Sequence, residues 1–116
     1  MIKLQWAVNE GGWYTLERFN FTSITNKGVY VIWHDGNPGQ YVRVGQGNIG
    51  ERLTKHKEDA VILAYKKRGI LRVTWATVPV FQLDGIELFL AQSLKPLVGD
   101  RFPDAQPVQV NLPGAA

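Results

Sequence analysis

The sequence contains no cysteine, two histidines (His34 and His56), two serines (Ser23 and Ser93) and one methionine. Without cysteine there is no disulfide, no thiolate metal site and no cysteine nucleophile. Two histidines exclude a site built from three histidine ligands. Neither serine lies in a Gly-x-Ser-x-Gly elbow, which argues against a serine hydrolase. No run approaches the roughly 18 continuous apolar residues of a membrane span, and Met1-Ile2-Lys3-Leu4-Gln5-Trp6 lacks a signal-peptide apolar region. The expectation is a cytoplasmic chain with no membrane partner. What remains is carboxylate, tyrosine, arginine and lone-histidine chemistry, with an oxygen-preferring cation if a metal is used.

Of 116 residues, 45% are hydrophobic and 20% charged, a balance that fits one packed domain and argues against disorder. The net charge of +3 is unevenly placed. Residues 51–72 hold seven basic groups (Arg52, Lys55, Lys57, Lys66, Lys67, Arg68, Arg72) against Glu51, Glu58 and Asp59, a surplus of +4, whereas 73–116 carry a deficit of −2 from Lys95 and Arg101 against Asp84, Glu87, Asp100 and Asp104. A central basic stretch suits a polyanion such as nucleic acid. A solvated helix face accounts for the same charges equally well.

Gly28-Val29-Tyr30-Val31-Ile32-Trp33 is β-branched and aromatic, His34-Asp35-Gly36-Asn37-Pro38-Gly39 supplies turn residues, and Tyr41-Val42-Arg43-Val44 resumes strand character. This predicts a β-hairpin. Asn48-Ile49-Gly50-Glu51 fits a capping box, so a helix starts there and runs, as one long element or two short ones, to a stop at Gly69. Residues 70–78 alternate as a third strand. Asp84-Gly85-Ile86-Glu87 fits the cap of a further helix that carries Leu88, Leu90, Ala91 and Leu94 up to Lys95-Pro96. Residues 6–8 and 14–21 are ambiguous, and Val108-Gln109-Val110 reads as a terminal strand.

Gly45-Gln46-Gly47-Asn48-Ile49-Gly50 spells the Gly-x-Gly-x-x-Gly of dinucleotide sites. That site needs a parallel β-α-β unit and an acidic residue about 20 positions on. Residues 60–83 contain no Asp or Glu, and the preceding hairpin implies antiparallel pairing. Only the local content is kept: glycines that let a strand enter a helix.

Taken together, Gly28-Val29-Tyr30, a short turn, Arg43-Val44-Gly45, Arg52 and His56 four apart on a helix, and Glu87 followed by Leu94-Lys95-Pro96 resemble the GIY-YIG nuclease family over about residues 28–99. The resemblance implies an α+β fold, a small three-stranded mainly antiparallel sheet flanked by helices, with residues 1–27 as an N-terminal extension packed on a 28–100 nuclease domain and 101–116 as a C-terminal extension. It implies hydrolysis of DNA phosphodiester bonds with one divalent cation, Mg²⁺ or Mn²⁺. Tyr30 would sit beside the attacking water, Arg52 would neutralise charge on the scissile phosphate, His56 would relay a proton or bind phosphate, and Glu87 would hold the metal. Arg43, Lys55, Lys57, Lys66, Lys67 and Arg68 would contact nucleic acid.

Two positions depart from the family pattern. Arg43 occupies the second motif's tyrosine position, and the asparagine expected after the Lys-Pro pair falls on Gly99, beside Asp100. Tyr41, two residues before Arg43, would project from the same strand face and substitute for the tyrosine; Asp100 would substitute for the asparagine. Plainer readings stand alongside. Tyr30 is a cross-strand aromatic, Arg52 and His56 are surface residues of an amphipathic helix, and Glu87 is the return glutamate of a cap begun by Asp84. Trp6, Trp13, Trp33 and Trp75 are core or rim aromatics rather than base-stacking platforms. The rival to a nuclease is a catalytically inactive nucleic-acid-binding or protein-interaction module of this fold. With no separate specificity domain legible, a homodimer or a specificity partner is expected.

Overall fold

In the computed structural model, which describes residues 1–99 and 101–114, the hairpin consists of β2 (Lys27–His34) and β3 (Gln40–Asn48). β4 (Leu71–Thr77) pairs antiparallel with the other edge of β2. A fourth strand, β1 (Tyr14–Thr15), pairs antiparallel with β4 and completes the order β1-β4-β2-β3. The fold is α+β, with four strands where the sequence predicts three. A two-residue strand has no periodicity to read and exists only because β4 offers it an edge.

The helical stretch is divided. α1 (Ile49–His56) is capped by Asn48, whose Oδ1 accepts from the Glu51 amide at 3.2 Å. Asp59 is extended (φ −83°, ψ 108°) and caps α2 (Ala60–Leu63) by accepting from the Val61 amide at 3.0 Å. Its β-region backbone breaks one helix into two. A 3₁₀ turn at Ala64–Lys67 then leads past Gly69 into β4.

α3 (Leu83–Leu94) begins one residue before the predicted cap. Gln82 holds the capping position without a side-chain hydrogen bond, so Asp84 lies inside the first turn and Asp84 and Glu87 form no capping box. Both carboxylates are thereby left for other partners.

Both faces of the sheet are covered. Tyr30, Ile32 and Val73 pack with Ile49 and Leu53 of α1, Ile62 of α2, and Leu16 and Phe21. Val29, Val31, Trp33, Val44 and Ala76 pack with Ile86 and Leu90 of α3. The first residues run along the α3 side, where Trp6 Nε1 donates to the Asn111 carbonyl at 3.0 Å and Ile2 bridges to Val110. That single bridge stands in place of the terminal strand predicted at 108–110.

A bulge in β3 decides which side chains share a face. Ile32 is opposite Arg43, but Trp33 is opposite Tyr41, so Val42 is the extra residue. Tyr41 consequently packs with the α3-side cluster and Val42 with the α1-side one. The expectation that Tyr41 and Arg43 project together is overturned, because one inserted residue reverses the alternation. Leu97 and Val98 donate their amides to the Tyr41 and Val42 carbonyls at 3.1 and 2.8 Å, tying the segment after α3 to the bulge. No helix among the described residues is long and apolar enough to cross a membrane.

Candidate active site

Tyr30 stands mid-strand on β2, 2% exposed, facing α1. Directly across on β3 is Gly45, and a Cβ there would collide with the Tyr30 hydroxyl and ring. The absent side chain lets the phenol lie across β3 toward α1. There its oxygen meets His56 Nε2 at 2.6 Å. His56 Nδ1 faces Asp59 Oδ2 at 3.7 Å. A proton on Nδ1 turned to the carboxylate and a lone pair on Nε2 turned to the phenol satisfy both contacts, so Tyr30 donates to a neutral imidazole.

The charges of the pocket agree with that assignment. Burial lowers the His56 pKa below its ordinary value, and Arg43 lowers it further against the pull of Asp59. Burial raises the Tyr30 phenol above 10.0, with Arg43 and Arg52 pulling the other way. At neutral pH the pair is therefore phenol and imidazole, with one shared proton between oxygen and nitrogen.

Arg52 comes from the exposed side of α1 and lies along β3, where a Cβ at Gly47 would be 3.1 Å from its Nε. Arg43 comes from β3 itself and is half-buried. Glu87 arrives from the opposite layer on α3, yet its charge is felt at Tyr30, and Arg43 and Arg52 are felt at Glu87. The sheet's edge strand is thus the seam at which α1 and α3 residues converge. Burial raises the Glu87 pKa, and a hydrogen bond from Gln46 opposes that rise.

Gln46 is a site residue that the sequence reading missed. Its Nε2 donates to Asp84 Oδ1 and to Glu87 Oε1, both at 2.8 Å. Asp84 and Glu87 sit three apart on α3 and so share a face; one amide group holds both carboxylates in place. Asp59 was likewise missed as a partner of His56. The only available signal was its spacing of three from that histidine, at a helix start that the sequence left undecided.

The structure brings together Tyr30, Arg43, Arg52, His56 and Glu87, and it leaves the other basic residues dispersed. Lys57 lies over the Phe21 ring, 5.3 Å from its centroid, and Lys66 pairs with Glu17 at 2.8 Å. Arg68 covers Tyr65 and donates to Gln40 Oε1 at 3.2 Å. Lys55 and Lys67 are exposed. Asp100, the expected substitute for the asparagine, lies outside the described residues.

The chain pairs all its sheet strands antiparallel, so the Gly-x-Gly-x-x-Gly segment belongs to no parallel β-α-β unit. No family model, curated protein or solved structure matches this chain.

For a hard divalent cation, the donor set is Glu87 with Asp84 beside it. Among the described residues no group of three or more His, Asp or Glu side chains could hold a metal. Mg²⁺ commonly takes one or two carboxylates and fills its remaining positions with water and phosphate oxygens. Glu87 and Asp84 are the one or two carboxylates such a site would use, each with one oxygen accepting from Gln46.

Proposed function

We propose that this chain is a divalent-cation-dependent endonuclease of the GIY-YIG type, hydrolysing DNA phosphodiester bonds at the seam between α1, β3 and α3. The observation that carries the reading is the 2.6 Å contact between the Tyr30 hydroxyl and His56 Nε2 in the field of Arg43, Arg52 and Glu87.

A water that attacks phosphorus must lose a proton. Tyr30 takes it as its own phenolic proton passes to His56 Nε2, and Asp59 then faces the imidazolium that results. As the water oxygen bonds to phosphorus the bond to the leaving sugar oxygen breaks, that oxygen takes a proton from solvent water, and the imidazolium returns its proton to solvent. The guanidiniums of Arg43 and Arg52 offset charge that builds on the phosphoryl oxygens. Glu87 and Asp84 would hold Mg²⁺ or Mn²⁺, which when bound polarises a phosphoryl oxygen. Lys55, exposed on α1 three residues from Arg52, extends the contact to flanking DNA backbone.

A second reading, a binding module without catalysis, is favoured by Arg43 standing where the family pattern has tyrosine. Nicking of supercoiled plasmid at low salt with Mg²⁺ or Mn²⁺ separates the two. The native chain nicks, and Tyr30→Phe, Arg52→Ala and Glu87→Ala each lower the rate by about a hundredfold or more. DNA binding with no nicking under either cation supports the module and overturns the nuclease.

A further inference from the structure

The two positions that depart from the family pattern meet in space. A Cβ at Gly99 would lie 3.1 Å from Arg43 Nη1 and 3.5 Å from its Cζ. Gly99 also has a φ of +97°, backbone that side chains rarely adopt. The Arg43 guanidinium occupies the room that a side chain at position 99 would need, and the backbone bonds of Leu97 and Val98 to the β3 bulge hold the two positions together.

Arg43 carries an unmet demand. Its guanidinium hydrogen-bonds the Tyr30 hydroxyl, its Nε is buried with no hydrogen-bond partner, and among the described residues neither Arg43 nor Arg52 belongs to an ion pair. Guanidinium is permanently charged, and its planar fork matches the oxygens of a phosphate. A guanidinium that has one donor atom unsatisfied and no carboxylate paired with it retains its full charge for an anion at the pocket. The charge of Arg43, whose side chain hydrogen-bonds the Tyr30 hydroxyl, acts on each of Tyr30, His56 and Glu87.

We infer that Arg43 and Arg52 form a phosphate-oxyanion site that works without a divalent cation, Arg43 as the half-buried anchor from β3 and Arg52 as the exposed arm from α1. The inference rests on reading the pocket as a phosphodiester site, and it assigns ground-state phosphate binding to the chain's own arginines. An anchor at this position converts the two departures into one compensated change: a guanidinium in place of a phenol, with the neighbouring side chain removed to admit it.

The experiment is binding of a short fluorescently labelled DNA duplex in EDTA at low salt, read by anisotropy, beside a titration of inorganic phosphate followed by phosphorus NMR. The native chain binds duplex in EDTA. Arg43→Met, which keeps the apolar stem, weakens that binding by about tenfold or more, and Arg43→Lys recovers part of it because a single ammonium cannot reproduce the fork. Gly99→Ala, which crowds the guanidinium without touching its charge, weakens binding in the same direction and serves if Arg43→Met fails to fold, as judged by circular dichroism. Arg18→Ala, removing the same charge just after β1 at the far edge of the sheet, has the smaller effect.

Arg43-dependent broadening of the inorganic phosphate signal supports a site for the oxyanion itself. Arg43-dependent binding of duplex alone supports a site for the same group within a DNA backbone. EDTA binding unchanged in both Arg43→Met and Gly99→Ala overturns the inference, as does binding that requires the cation. Nicking that coexists with Arg43-independent binding sinks the anchor and leaves the nuclease. Arg43-dependent binding without nicking in any metal leaves the anchor and sinks the nuclease.

Discussion

The Tyr30 hydroxyl donates to His56 Nε2 across 2.6 Å, joining the central strand of the sheet to the last residue of α1. Donation from the phenol needs an unprotonated Nε2, and burial drives both groups toward their neutral forms.

The first prediction concerns pH. Burial lowers the His56 pKa below its ordinary 6.5, so the unfolded chain takes up a proton at higher pH than the folded one. The full stability is present above about pH 6.5, and it falls as pH drops from there toward the lowered folded value. Nitrogen NMR of His56 should show Nδ1 protonated at neutral pH and a midpoint below 6.5. A midpoint above that value contradicts the geometry.

Gln46 holds Asp84 and Glu87 through one amide group. Gln46→Leu removes the hydrogen bonds while keeping the volume, and it should weaken Mn²⁺ binding by about tenfold to a hundredfold, the usual cost of losing an outer partner of a metal ligand. Relaxation enhancement of water by Mn²⁺ measures this without reference to catalysis. Unchanged affinity would exclude Glu87 and Asp84 as the cation's ligands.

Gly45 is required by Tyr30 rather than by the backbone alone. Gly45→Ala should destabilise the fold by about 1–3 kcal/mol through overpacking. In a Tyr30→Leu background, where the ring and hydroxyl are gone, most of that cost should vanish. Urea unfolding of the four proteins in the cycle tests it, and additive effects would refute the proposed collision.

Leu53 is fully buried between α1 and the sheet, with Ile49 and Ile62. Leu53→Ala should cost about 2–5 kcal/mol. Since His56 lies one turn further along the same helix, the Tyr30 contact should loosen with it, which His56 amide exchange reports. A loss of stability with unaltered exchange at His56 would show that α1 does not position the histidine.

Much of the fold was legible because local signals agreed. β-branched runs around turn residues marked β2 and β3, Asn48 marked the start of α1, and the alternation after Gly69 marked β4. The four-residue spacing of Arg52 and His56 put both on α1, where the structure has them. Illegible features were those whose cause lies far along the chain. β1 needs the edge of β4, and the start of α3 at Leu83 removed the expected cap. The extra residue Val42 has no local signature, because either parity of Tyr41 and Arg43 reads as a strand until β2 supplies the register.

By itself the sequence determined the residue types available for chemistry and the local elements that carry them, since periodicity and caps depend on neighbours within a few positions. Only the tertiary structure decided which of those residues meet. Gln46 reaches carboxylates 38 and 41 positions away, Tyr30 reaches a histidine 26 positions away, and Arg43 fills the space left open at Gly99. Each of these contacts depends on which face a side chain takes and which layer covers it, and neither is fixed until the strands have paired and both faces of the sheet are packed.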